Sequence, residues 1–438
     1  MEGLHHRELR VLRGSRLAGR CLQDRQGREG HPVRRGPAAP GRALSGTPDH
    51  RSGGGPVGST AGGAYPAGGT PSRRTAGGSL PDFPWDLLEP AKALAGRHPD
   101  GIVDLSVGTP VDPVPALIQA ALSAASDTPG YPLTAGSPAL RAALTGWVAR
   151  ACGADPEGVG VLPTIGSKEL VAWLPTLLGI GPGDVVVIPQ VCYPTYEVGA
   201  RLAGAEVVRA DSLTALGPTS RVRLIWVNSP SNPTGRVLPP AHLRKIVDWA
   251  RERGVVVASD ECYLSLGWEE TPTSVLSAEV AGGNYTNLLA VHSLSKRSNL
   301  AGYRAGFVAG DRGLVGELLA VRKHAGMILP APVQAAMVAA LGDEEHVTEQ
   351  RVRYAARREV LRDALTKAGF TLGHSEAGLY LWASRDEDCW TTVNWLAERG
   401  ILVAPGDFYG PTGNRHVRVA LTATDERVAA AADRLTAS

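Results

Sequence analysis

From Gly160 to Val308 the chain repeats one pattern: a short run of Val, Ile, Leu or Ala, a turn, then a stretch with apolar residues at helical spacing. The strand-like runs are Val185 to Ile188, Val222 to Val227, Val255 to Ala258, Asn287 to Val291 and Tyr303 to Val308. Between two of them, Pro240 to Arg253 sets Leu243, Ile246, Val247 and Ala250 on one helical face. The runs are Val/Ile/Leu-rich, as strands covered on both faces should be. This alternation predicts an α/β domain with a mainly parallel, mixed sheet flanked by helices. After Leu329-Pro330 the pattern changes to long helical stretches, Val333 to Leu341 and His346 to Ala368. Short strands around Leu379 to Trp382 and His416 to Leu421 then flank a helix from Trp390 to Arg399, which predicts a smaller α+β domain at the C-terminus. No internal repeat is visible.

Residues 1–79 are of another kind: Gly, Pro, Arg, Ser and Ala, with few large apolar side chains. Such a segment cannot bury enough surface to offset its conformational entropy, and we expect disorder there. Gly53 to Gly58 spells GxGxxG, but no strand precedes it and no helix follows, so the match carries no weight. The expected organisation is a tail at 1–79, an N-terminal arm and part of the small domain at 80–125, a large domain at 126–329 and the small domain at 330–438.

The first 80 residues hold thirteen Arg, no Lys and five acids, a net +8, whereas the whole chain is +2, so the body is mildly acidic. Nothing in that body suggests a nucleic-acid or anionic-membrane surface. Cys21, Cys152, Cys192, Cys262 and Cys389 form no CxxC pair and no zinc-like spacing, so free thiols are expected and no metal site. No apolar run approaches the ~20 residues that span a bilayer, and no export signal is apparent; the expected location is the cytoplasm.

Four short segments follow strand-like runs. Gly166-Ser167-Lys168-Glu169 opens a helix, Asn232-Pro233-Thr234-Gly235 follows the strand ending at Asn228, and Asp260-Glu261-Cys262-Tyr263 follows Val255 to Ala258. Ser293-Leu294-Ser295-Lys296 follows the strand ending at Val291, with Arg304 eight residues beyond the lysine. Open α/β sheets place their ligands at strand C-termini. Each segment alone is usually just a turn; their order on one sheet is specific.

Together they resemble the fold-type I pyridoxal-phosphate enzymes, in particular the class I/II aminotransferases, over about Pro81 to Thr436. The resemblance implies pyridoxal 5′-phosphate as cofactor, held as a Schiff base by Lys296. A lysine amine, with a pKa of ~10.4, is a poor base near neutrality while protonated; once released by the incoming substrate amine, Lys296 stands as a base beside the α-carbon. Asp260 would keep the pyridine nitrogen protonated. Ser293, Ser295 and Arg304 would hold the phosphate with hydroxyls and a guanidinium fork, joined by the backbone amides of Ser167 and Lys168 after Gly166, at a helix N-terminus.

By the same resemblance Asn232 and Tyr263 reach the ring 3′-oxygen and Tyr193 stacks on the ring, although Cys192 stands where many relatives have Gly. Arg418, in His416-Val417-Arg418-Val419, matches the arginine that grips the substrate α-carboxylate. Gly108, in Val107-Gly108-Thr109-Pro110, matches a loop whose backbone approaches that carboxylate. Tyr131 resembles a tyrosine that reaches the phosphate of a neighbouring subunit, which implies a homodimer with shared sites.

The run Lys296-Arg297-Ser298-Asn299, with Leu80 to Trp85 and Ser106 to Pro115, looks like the N-succinyldiaminopimelate aminotransferases of lysine biosynthesis. Their substrates carry a remote carboxylate, so a second cation is expected; Arg297, Lys168, Arg322 and Lys323 are the candidates. Other aminotransferases (aspartate, alanine or aromatic) and a lyase on the same fold are the rival readings. A transcription regulator built on this fold would need an upstream winged helix, and residues 1–80 show no apolar periodicity.

Overall fold

A computed structural model of the chain describes residues 77, 80–216 and 220–437. Apart from Gly77, the 1–79 tail lies outside the described residues, as does Cys21.

After two short helical segments, Pro84–Leu88 and Glu89–Ala95, comes the first strand, β1 (Val103–Asp104). Seven more form the large sheet: β2 (Val159–Ile165), β3 (Val185–Ile188), β4 (Glu206–Arg209), β5 (Val222–Asn228), β6 (Val256–Asp260), β7 (Leu288–Ser293) and β8 (Ala305–Asp311), in the spatial order β2-β8-β7-β6-β5-β3-β4. The pairings among β4, β3, β5, β6 and β7 are parallel, and β8 runs antiparallel to both β7 and β2. The sheet is therefore mixed and mainly parallel, as its apolar runs predict.

The period of two along each strand sorts side chains into two cores. Val185, Val187, Ile225, Val227, Val257, Leu288, Ala290, Phe307 and Ala309 enter one. Their chain neighbours Val186, Ile188, Leu224, Trp226, Ala258, Leu289, Val291 and Val308 enter the other. Helix Pro240–Glu252 inserts Leu243, Ile246, Val247 and Ala250 into the first. The sequence reading places helix Ala331–Gly342 in the small domain, but its Ala336, Met337, Ala340 and Leu341 pack into this same core, as does Ile118.

The smaller C-terminal domain carries an antiparallel sheet of β9 (Thr371–Gly373), β10 (Tyr380–Ser384), β12 (Ala404–Pro405) and β13 (Val417–Ala420), ordered β12-β13-β10-β9; β11 (Ile401–Leu402) pairs instead with β1, in parallel. Its core joins Leu379, Leu381, Val417 and Val419 to Leu361 and Leu365 of the long helix Glu345–Lys367, and to Leu88, Ala95, Val103 and Leu105 from the N-terminal side. Among the described residues no helix is long and apolar enough to cross a membrane. Cys152, Cys192 and Cys389 are buried thiols and Cys262 is half-buried; none is bonded to another.

Candidate active site

Register brings the candidate residues to one edge of the large sheet. Asn228, the last residue of β5, is level with Asp260, the last of β6, and Asp260 with Val291 of β7. Ser293, ending β7, is level with Gly306, and Ile165, ending β2, with Ala305. Four strand ends therefore carry Asp260, Ser293 with Lys296, Gly166-Ser167 and Arg304 side by side.

Each side chain there has a defined partner. Asp260 accepts from Tyr196 Oη at 2.8 Å and from the Cys262 amide at 3.2 Å. Burial pushes its pKa up, against which the Cys262 and Tyr196 donors act. Asn228 donates to the Asp260 carbonyl at 2.9 Å and accepts from the Asn232 amide at 2.7 Å, so one buried amide sets the position of both neighbours. Ser293 Oγ accepts from the Ser295 amide at 3.2 Å, capping the short helix Leu294–Arg297, and both serines are buried. Lys296 donates to the Gly108 carbonyl, and burial lowers its pKa from the usual lysine value. Tyr193 packs edge-on against Tyr196, ring centroids 5.8 Å apart.

At the Gly166 end two cations face each other. Lys168 has its pKa lowered, first by partial burial and then by the charge of Arg304. Gly166 has φ +72°, and a Cβ there would lie 2.8 Å from the Arg304 guanidinium carbon. A Cβ on Gly306 would lie 2.8 Å from the Ser167 amide nitrogen. The two glycines thus let a guanidinium and a helix N-terminus approach one another, donors of the kind that hold an anion.

On the small-domain side Arg418 is buried, yet no carboxylate pairs with it among the described residues. Its Nη1 donates to Asn232 Oδ1 at 3.0 Å and its Nη2 to the Ser106 carbonyl at 2.6 Å, while Nε has no partner. The guanidinium lies over the rings of Tyr380 and Tyr409, at 4.0 and 4.9 Å. Tyr380 Oη is 3.2 Å from Tyr263 Oη, and a Cβ on Gly108 would lie 2.8 Å from Tyr380 Cζ. Burial would raise the Tyr380 phenol, but Arg418 and Lys296 beside it bring its pKa below the ordinary value. Burial raises that of Tyr263.

The structure therefore brings together Gly108, Gly166, Ser167, Lys168, Tyr193, Asn232, Asp260, Tyr263, Ser293, Ser295, Lys296, Arg304 and Arg418. Tyr131 stands apart, 99% exposed. Of the candidate remote cations, Arg322 is fully buried and bidentate to Glu169, at 2.9 and 3.1 Å, and Arg297 donates to Glu344 at 2.9 Å. Both are spent on ion pairs of the fold; Lys323 is exposed on helix Arg312–Ala325. The sequence reading missed three residues. Asn228 was visible as the polar end of an apolar run, and Tyr196 lies in the same short segment as Tyr193. Tyr380, in a run of aromatic and aliphatic residues, looks like core.

Pyridoxal phosphate suits this end: a buried carboxylate ends one strand, a buried amine follows the next, and the Arg304 guanidinium meets a helix N-terminus beside them. These features define a pyridoxal-phosphate enzyme of fold type I. The chain belongs to the family of class I and II aminotransferases, whose model matches residues 100–435, and pyridoxal phosphate is its cofactor. It is 60% identical to "Probable aminotransferase Rv1178" of Mycobacterium tuberculosis, over 100% of each chain. It is 58% identical to 4-dedimethylamino-4-oxo-anhydrotetracycline transaminase OxyQ of Streptomyces rimosus, over 82% of this chain and 99% of that one. It is 33% identical to an LL-diaminopimelate aminotransferase of Aquifex aeolicus, over 76% and 90%. Among solved structures, a "probable N-succinyldiaminopimelate aminotransferase" of Thermus thermophilus superposes with TM-score 0.73 at 29% identity, over 81% of this chain and 99% of that one.

Proposed function

We propose that this aminotransferase exchanges an amino group between glutamate and N-succinyl-2-amino-6-oxopimelate, in the diaminopimelate branch of lysine synthesis. The observation that carries an amino-acid substrate is Arg418: a buried guanidinium that, among the described residues, meets only neutral oxygens and aromatic faces, with Nε unpartnered. A buried charge without a counter-ion is costly, and a substrate α-carboxylate would supply one bidentately. The run around Lys296 and the diaminopimelate aminotransferases among the relatives support the choice of branch.

Bound pyridoxal phosphate supplies an electron sink for the substrate α-carbon. Asp260, steadied by Tyr196 and the Cys262 amide, would hold the ring nitrogen protonated. The backbone amides of Ser167 and Lys168, with Ser293, Ser295 and Arg304, would hold the phosphate, with Asn232 and Tyr263 at the 3′-oxygen and Tyr193 against the ring. Arg418 and the Gly108 backbone orient the α-carboxylate, and the Lys296 amine, its pKa lowered by burial, removes the α-proton. With Arg297 and Arg322 committed to Glu344 and Glu169, the side chains of Lys168 and Lys323 remain the candidates for a remote carboxylate. Tyr131, exposed in this subunit, would serve the site of a second copy in a homodimer.

The 58% identity to OxyQ favours a second reading, in which the acceptor is a cyclic ketone of the kind that name specifies. Two measurements test the proposal. Borohydride should fix the cofactor on Lys296 alone, and a label elsewhere removes that assignment. Glutamate-dependent turnover should be fastest with the succinylated keto acid; faster amino transfer from LL-diaminopimelate to 2-oxoglutarate, or from glutamate to neutral or aromatic keto acids or to the tetracycline ketone, replaces the substrate and leaves the aminotransferase.

A further inference from the structure

The three residues after Lys296 are each gripped by the region that opens the long helix Glu345–Lys367. Arg297 donates to Glu344, Ser298 Oγ lies 2.8 Å from His346 Nε2, and Asn299 Nδ2 donates to Gln350 Oε1 at 2.9 Å. His346 is itself held by Asp343, at 2.5 Å. Arg297, Ser298, Asn299 and Gln350 are all buried. Asn299 has φ +56°, in the left-handed region that Asn tolerates better than most residues.

From Gln350 the contacts turn back to the site. Gln350 Nε2 donates to Asp112 Oδ2 at 2.8 Å, and Asn299 Nδ2 also reaches the Pro113 carbonyl at 3.2 Å. Asp112 is clamped from its other side by Arg357, at 2.6 and 2.8 Å. Four residues before Asp112 lies Gly108, whose carbonyl accepts from Lys296 Nζ. The path is a closed ring: Lys296 along the chain to Asn299, across to Gln350, across to Asp112, along the chain to Gly108, and back to the Lys296 amine.

A lysine amine sits on four rotatable bonds, and burying such a flexible side chain in one place costs conformational entropy. A ring that fixes both the lysine's backbone and the carbonyl that its amine meets limits that freedom. Its amide links are buried, where a donor left without an acceptor is costly. The alternative, that these contacts merely hold the domains together, predicts lost stability without a change in how the lysine works.

We propose that Asn299 and Gln350 are positioning residues for Lys296: through Asp112 they lock the Gly108 loop against the segment that bears the lysine, and so set where its amine stands. This rests on Lys296 being the attachment lysine. Neither residue touches substrate in this ring.

The test uses holoenzyme. Asn299→Gly keeps the left-handed backbone while deleting the amide. Gln350→Glu keeps the acceptor for Asn299 but sets a carboxylate against Asp112. Each should lower kcat about ten- to a hundredfold, the scale of a misplaced catalytic group, with KM for glutamate within about twofold because Arg418 is untouched. Each should also weaken the visible circular dichroism of the bound cofactor, measured per mole bound. Gln350→Met deletes both amide links without adding a charge, and should impair both signals to a similar degree. Wild-type kcat and dichroism with only a lowered Tm would overturn the proposal, as would an unimpaired Gln350→Met. Borohydride label on a residue other than Lys296 would instead remove the reading beneath it.

Discussion

The cofactor end and the substrate end of this site are assembled differently. At the first, Asp260, Ser293, Lys296, Gly166 and Arg304 stand at the ends of neighbouring strands of one sheet, and each belongs to a short contiguous segment. At the second, Gly108, Tyr263, Tyr380 and Arg418 come from four segments spread from one end of the described chain to the other, and they meet only because the small domain closes on the large one. The first is fixed by sheet register; the second depends on long-range packing. Substitutions at the cofactor end should therefore abolish chemistry for every substrate, and those at the substrate end should reveal which substrate is bound.

The largest effect is expected at Lys296. Lys296→Ala should keep binding the cofactor while transamination falls roughly a hundred- to ten-thousandfold, the usual contribution of a general base. Solvent exchange of the substrate α-proton should fall in parallel. Unchanged exchange would move the base to another residue and blur the division between the two ends.

Arg418→Ala comes next. The loss of a charge-assisted hydrogen bond to the carboxylate costs ~1.5–3 kcal/mol, on the order of ten- to a hundredfold in kcat/KM. The loss should appear with the amino donor and with the acceptor alike, since both present a carboxylate at the reacting carbon. Arg418→Lys should recover little, because an ammonium lacks the planar fork. A variant impaired with glutamate and normal with the acceptor would favour the cyclic-ketone reading.

What the sequence made legible follows the same division. Strands rich in Val and Ile, and segments that put Asp260 and Lys296 just past a strand, announce themselves locally because their chemistry and their fold constraints coincide. Tyr380 does not. It alternates with Leu379 and Leu381 in a strand of core residues, and only the approach of Gly108, Arg418 and Tyr263 gives it a role. Two of the four candidate remote cations are lost for a related reason. Arg322 and Arg297 look available in sequence, but their partners Glu169 and Glu344 lie 153 and 47 residues away and are supplied by the fold. The run Arg297-Ser298-Asn299, read in sequence as a mark of substrate, turns out to be bound to Glu344, His346 and Gln350.

Tyr380→Phe should have a smaller effect on turnover. The hydroxyl contributes a neutral hydrogen bond to Tyr263, worth ~0.5–1.5 kcal/mol net, or about two- to tenfold. The pH dependence is the sharper readout. Because Arg418 and Lys296 lower the Tyr380 pKa, its phenolate forms at a lower pH than an ordinary phenol's. That anion would neutralise Arg418 and compete with the substrate carboxylate, so kcat/KM should fall on the alkaline side. In Tyr380→Phe this limb should move to higher pH; a limb that stays in place would assign it to another group.

The smallest effect concerns stability without cofactor. Burial lowers the Lys296 pKa in the folded protein below the ~10.4 of an unfolded lysine. Below the folded pKa the native state must keep a charged amine in a poorly solvated place, and this cost is present in full. As pH rises from the folded pKa towards the unfolded one, the unfolded chain binds more protons than the native state, so the cost shrinks and vanishes above the unfolded value. Each unit of pKa displacement corresponds to about 1.4 kcal/mol. Cofactor-free Lys296→Met, which fills similar volume without charge, should therefore be more stable than the wild type at neutral pH. The gap should narrow as the pH is raised towards 10, measured by urea midpoints at several pH values. A gap independent of pH would mean that Met simply packs better. The destabilising charge would then not be that of the buried amine, and the cofactor end would owe its tuning to the bound cofactor rather than to the fold that receives it.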